Sequence, residues 1–168
     1  GNYNTATGLR ALYSNSTGND NTASGLMALS LNTTGNSNTA AGRAALYSNT
    51  TGYSNVAVGP RALFENLTGH NLVAVGDSAL YNNTALGNTA IGSKSLYTNT
   101  TGSSNSALGD HSLYSNTSGL SNTAVGDDAM YNNSTGDYNA ALGRLSMNSN
   151  TTGNFNTTIG YSAGSLAT

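Results

Sequence analysis

LYSNTTGYSNVAVG, from Leu46 to Gly59, returns as LYTNTTGSSNSALG at Leu96–Gly109 and as LYSNTSGLSNTAVG at Leu113–Gly126. Most of the letters hold, and the changes fall between fixed ones. An enzyme needs its catalytic groups once, whereas a repeated sentence specifies a repeated shape. Counting in steps of seventeen from Gly1 places glycine at 1, 18, 35, 52, 69, 102, 119, 136 and 153. One residue is missing near Thr84, where Ala85 takes the glycine place. The whole chain, 1–168, is read as one repeat domain of ten units, starting at 1, 18, 35, 52, 69, 85, 102, 119, 136 and 153.

Positions within a unit are numbered 1 to 17. Position 4 is Asn in nine units, with Leu72 as the exception; position 6 is Ala in nine; position 8 is Gly in all ten. Position 12 is Leu or Met in nine units, position 13 is Tyr in six and Phe64 in a seventh, and position 15 is Asn in nine. Positions 5–7, as in Thr123-Ala124-Val125, are short, β-favouring and bounded by glycine, so they predict a strand. Positions 11–13, Ala-Leu-Tyr, predict a second one. Invariant glycine at position 8 marks a corner, and the Ser-Asn-Thr-Thr-Gly stretch marks the other. A helix is excluded: two glycines per unit cost about 1 kcal/mol each against alanine, and no apolar face recurs at 3.6 residues.

One unit cannot fold alone. It buries few large side chains, at about 1.5–3 kcal/mol each, while ordering seventeen residues costs roughly 1–2 kcal/mol apiece. Stacked units share backbone ladders and continuous side-chain rows, so the pattern predicts an all-β parallel β-solenoid with about 4.8 Å between coils. Stacking sets like on like, and Asn over Asn is favourable because each amide bonds its neighbours. The expected core rows are position 12 (Leu12, Leu29, Leu46, Leu63, Leu80, Leu96, Leu113, Met130 and Met147) and the aliphatic part of position 7 (Val58, Val75, Ile91, Leu108, Val125, Leu142 and Ile159). The alanines at positions 6 and 11 are expected where another backbone packs closely. Positions 9 and 10 collect most charges, from Arg10 to Arg144, so that corner is expected to face water. Pro60 sits there too, where no ladder bond is lost.

Composition narrows the function. Only 7 % of residues are charged and the net charge is -2, which leaves no basic footprint for nucleic acid and no polybasic membrane signal. There is no Cys, so disulfides and thiolate metal sites are out. No apolar run approaches the roughly 18 residues of a membrane span.

The Asn-x-Ala-x-Gly element, as in SNTAVG (Ser121–Gly126) and SNSALG (Ser104–Gly109), resembles the head repeats of trimeric autotransporter adhesins. The longer string ALYSNTTGYSNVAVG (Ala45–Gly59) looks like repeats in phage tail fibres and bacterial surface proteins that carry an endosialidase-type intramolecular chaperone. The resemblance covers the whole chain and implies left-handed β-roll coils, three chains side by side and an extracellular, cell-surface or virion-surface setting. The adhesin heads use a shorter coil than seventeen.

Candidate sites are few. Asp110 and Asp127 share position 9 of adjacent units, with His111 and Asp128 at position 10, a weak cation site or a solvated corner. His70 and His111 lie in different units without a repeated Asp or Ser partner, so the chain reads as no enzyme, with no cofactor and no metal site. Asn-x-Ser/Thr recurs at Asn15, Asn32, Asn49, Asn66, Asn99, Asn116, Asn133 and Asn150, with Asn82, Asn132 and Asn156 outside that column. These are candidate glycan acceptors, or simply good turn and ladder residues. Threonine rows at positions 5 and 16 raise an ice-binding reading, weakened by Val56, Val73 and Ala140.

The leading expectation is a structural shaft or head segment of an extracellular fibre. The alternative is an adhesin module contacting glycans or matrix, with the irregular coil around His70, Leu72 and Thr84–Ala85 as its best exposed patch. The expected partner is the chain itself, as a homotrimer continued end to end, with surface glycans second and neither nucleic acid nor inserted membrane. The chain opens in mid-pattern, and "IGYSAGSLAT" departs from the unit while Thr168 keeps the threonine place, so a longer parent is expected at both ends.

Overall fold

The computed structural model describes residues 1–165; Thr168 lies outside them. Ten three-residue strands recur once per unit: β1 (Thr5–Thr7), β2 (Thr22–Ser24), β3 (Thr39–Ala41), β4 (Val56–Val58), β5 (Val73–Val75), β6 (Thr89–Ile91), β7 (Ser106–Leu108), β8 (Thr123–Val125), β9 (Ala140–Leu142) and β10 (Thr157–Ile159). They form one parallel sheet in chain order. Register is residue on residue, as in Ala107 opposite Ala124. The protein is an all-β parallel solenoid of about ten coils, with no helix among the described residues.

The expected second strand at positions 11–13 is a run of turns instead. Leu at position 12 is left-handed throughout, with φ 51 at Leu113 and φ 50 at Leu46. The reason is burial. Ala45 and Leu46 are both fully buried, as are Ala62 and Leu63. Successive residues of a regular strand point to opposite faces, so a strand would bury one of the pair and expose the other. The left-handed residue turns both inward. It costs roughly 1–2 kcal/mol, which burial of the leucine offsets with about 1.5–3 kcal/mol. Coil-to-coil bonding survives: Leu46 N–H donates to the Ala62 carbonyl at 2.9 Å, and Ser48 N–H to the Phe64 carbonyl at 3.1 Å.

The core differs from expectation on the strand side. Along each strand the middle alanine points inward, and Ala23, Ala40, Ala57, Ala74, Ala90 and Ala124 are fully buried. Position 7 therefore points out: Val58, Ile91, Leu108, Leu142 and Ile159 are exposed, and Val75 and Val125 are half-exposed. The alanines at 6 and 11 are small because the two runs of one coil lie close to each other. Position 12 is the leucine core as expected, fully buried from Leu29 through Met147 and half-buried at Leu12.

The other half of the coil interior is amide. Asn49 Nδ2 donates to Asn32 Oδ1 at 2.8 Å, and Asn38 Nδ2 donates to Asn21 Oδ1 at 3.1 Å. Both Asn38 and Asn49 also donate to the Gly52 carbonyl, at 2.8 and 3.0 Å. One glycine carbonyl thus ties the position-4 row to the position-15 row. A Cβ on Gly52 would lie 2.2 Å from Asn49 Oδ1 and 2.4 Å from the Gly69 carbonyl oxygen, so position 1 tolerates no side chain. Ala85 takes this place only in the coil that follows the missing residue.

Candidate functional site

The outer face of the strand sheet is a continuous, regularly patterned surface. Positions 5 and 7 stand side by side on it. In β1 and β2 they are Thr5, Thr7, Thr22 and Ser24; from β4 onward position 7 is always aliphatic. Leu108 is 48 % exposed and Leu142 49 %, well above ordinary core values. Over β8–β10 the same face carries a shallow apolar groove lined by Val125, Leu142 and Ile159, with Thr123, Ala140 and Thr157 along its side.

The tyrosine row lies on the other run of the coil. Six half-buried rings stack from Tyr47 through Phe64, Tyr81, Tyr97 and Tyr114 to Tyr131, with centroids 5.0–5.3 Å apart. The interplanar angle is 4° for both Tyr97–Tyr114 and Tyr114–Tyr131. The spacing is the coil rise, so the stacking follows directly from the repeat. Ser30 and Asn148 hold the same position in flanking units.

The charged corner carries isolated contacts. His111 Nδ1 lies 3.1 Å from Asp110, and Arg144 Nε donates to Asp127 at 3.0 Å. That bond, with nearby Tyr161, raises the Arg144 pKa, so its charge stays fixed. Asp110 and Asp127 are therefore engaged in separate contacts, and no group of three His, Asp or Glu side chains converges among the described residues. Pro60 lies at this corner, and its carbonyl accepts the Ser78 N–H at 2.9 Å.

The asparagine sequons are mostly sealed. Asn32, Asn49, Asn66, Asn99, Asn116, Asn133 and Asn150 are buried and spend their amides on the ladder, so glycan attachment there would require pulling the coil apart. Asn15 and Asn156 are half-buried ends of rows. Asn82 is half-buried and Asn132 exposed, and each donates to a neighbouring carbonyl, of Tyr97 and of Asn148. The position-16 hydroxyls are likewise committed: Thr33, Thr50, Thr100 and Thr117 each donate to a carbonyl of the next coil. That row offers no free array of hydroxyls to ice.

No protein-family model, curated protein or solved structure matches this chain.

The place where the repeat breaks holds a second depression. A groove of about 500 Å³ is lined by Asn71, Leu86, Gly87, Thr101, Ser103 and Ser104 around Ala85. Beside it Tyr53 and His70 stack at 4.4 Å. Leu72, at the asparagine position, is fully buried. Asn83 turns its amide to the Ala85 carbonyl at 2.9 Å, and Asn66 Oδ1 is left unpaired. The irregular coil singled out in the sequence is thus a real discontinuity in surface and interior. The sequence reasoning missed the outward sheet face. Its signal was variability: position 7 ranges from Thr to Leu while position 6 is Ala in nine units of ten.

Proposed function

We propose that this chain is a structural segment of an extracellular fibre, a shaft or head in which three copies pack side by side. The supporting observation is the aliphatic column on the outer sheet face from Val58 to Ile159. A long apolar stripe of this kind on a lone chain is costly and marks a contact surface. The choice of a second and third copy, rather than another protein, rests on the resemblance to trimeric adhesin heads and tail-fibre repeats. The asparagine rows and the position-16 hydroxyls are bonded coil to coil, which suits a continuous stack. Light scattering and electron microscopy test the reading. A rod of three chains is the expected result; a stable folded monomer at micromolar concentration would overturn it.

A second reading is favoured by the groove at Ala85. A depression with Asn71, Thr101, Ser103 and Ser104 beside Ala85 and an exposed leucine, and an aromatic stack alongside, suits an uncharged saccharide, whose hydroxyls need amide and hydroxyl partners and whose ring faces need apolar ones. In this reading the segment is an adhesin module. Glycan-array binding that disappears on Ser104→Trp would support it, and an empty array would remove it.

A further inference from the structure

We propose that the tyrosine row is an oxidative cross-linking site, at which neighbouring coils become joined by dityrosine bonds. Of the ten tyrosines, four follow one another without interruption: Tyr81, Tyr97, Tyr114 and Tyr131. Their centroids are 5.2, 5.3 and 5.0 Å apart. The other six tyrosines have no phenol beside them in any ring contact of the described residues. Tyr47 meets Phe64, Tyr53 meets His70, Tyr138 meets Phe155, and Tyr13 and Tyr161 lie under arginines.

The chemistry requires a one-electron oxidant, such as a haem peroxidase with hydrogen peroxide. Each of two adjacent phenols loses one electron and its phenolic proton, giving two phenoxyl radicals. Their ortho carbons form one C–C bond, and the two displaced ring hydrogens return to the oxygens, restoring both phenols. The net change is two electrons and two protons passed to one hydrogen peroxide, which leaves as two waters. Proximity favours the coupling step. A radical held one coil from a second phenol needs no diffusive encounter, and held partners react at effective concentrations far above those in solution. The rings are half-buried, so the oxidant reaches their edges and side-chain rotation can bring ortho carbons together. The natural Phe64 shows that the row accepts a ring without the hydroxyl, and it isolates Tyr47 from the reactive run.

Dilute protein treated with peroxidase and hydrogen peroxide should gain dityrosine fluorescence while remaining the size of a single chain on a denaturing gel. Peptide mapping should find links, each lacking two hydrogens, only between Tyr81 and Tyr97, Tyr97 and Tyr114, or Tyr114 and Tyr131. A Tyr97→Phe, Tyr131→Phe double variant leaves no adjacent phenols and should lose at least about tenfold of the within-chain product, although eight tyrosines remain. An unreduced yield in that variant overturns the proposal. So does a product formed mainly through the exposed Tyr3, Tyr13 or Tyr161, a product linking separate chains, or no product at all.

Discussion

Asn99 donates its side-chain N–H to Asn83 Oδ1 at 2.7 Å across sixteen residues, where the other bonded steps of this row span seventeen. The ladder has absorbed a deletion, and the lost bond falls one coil back, at Asn66 Oδ1.

Asn66 is therefore the weak rung. Asn49→Ala removes two donated bonds, leaves Asn32 Oδ1 unpaired and takes a partner from Asn66, so it should cost about 1–3 kcal/mol. Asn66→Ala deletes an oxygen that already lacks a partner and should cost less by roughly one hydrogen bond, 0.5–1.5 kcal/mol. Inserting Thr after Thr84 together with Leu72→Asn and Ala85→Gly should restore the pairing and raise stability. Urea midpoints rank the variants; equal losses at positions 49 and 66 would contradict the account.

Left-handed backbone recurs at positions 3, 10 and 12 of every unit, almost always without glycine. Ser121 (φ 55) is exposed, so side-chain packing hardly enters there. Ser121→Val should destabilise by roughly 1–2 kcal/mol, since a β-branched side chain is poorly tolerated at positive φ. Ser121→Gly should be neutral or slightly stabilising. Gly109→Ala should be far worse, because its Cβ would meet the Gly126 carbonyl oxygen at 2.4 Å at φ 135. Thermal melts of the three decide the matter, and a harmless Gly109→Ala would show the corner to be looser than described.

Damage should depend on position within the unit and hardly on the unit's number. Leu63→Asp and Leu113→Asp each place a carboxylate at a fully buried site and should unfold or cripple the protein. Asp110→Asn and Arg61→Gln, at the solvent corner, should stay within about 0.5 kcal/mol. Circular dichroism melts that gave the reverse order would overturn the core assignment.

Lysine on the strand face separates folding from assembly. Leu108→Lys and Leu142→Lys alter side chains that the single chain leaves exposed, so each coil should keep its secondary structure. If copies pack through this face, the particle mass by light scattering should fall from three chains to one. An unchanged mass would assign the contact to another surface.

The period, the parallel stack, the leucine row, the two asparagine rows and the stacked rings were all legible in the sequence, because each is like placed on like at a fixed interval. The faces of the strand were not. Val125 and Leu142 look like core by their chemistry, whereas Ala124 and Ala141 are core by their confinement, and hydrophobicity alone ranks them the wrong way round. Position 12 misled in the opposite sense: the chemistry of Leu113 was read correctly, but a strand was inferred where two neighbouring side chains must both turn in. The groove at Ala85 could be located from the missing residue but not shaped, since its walls come from three different coils.

An interior of two asparagine rows beside one leucine row and small alanines also sets how the protein meets temperature. Unfolding would release little apolar surface per residue and a good deal of amide, and these change the heat capacity in opposite directions. The heat-capacity increment should fall below the usual value of about 12–15 cal/mol/K per residue. A small increment makes the curve of stability against temperature broad and flat. Cold should then weaken this solenoid less than it weakens a protein whose interior is wholly apolar.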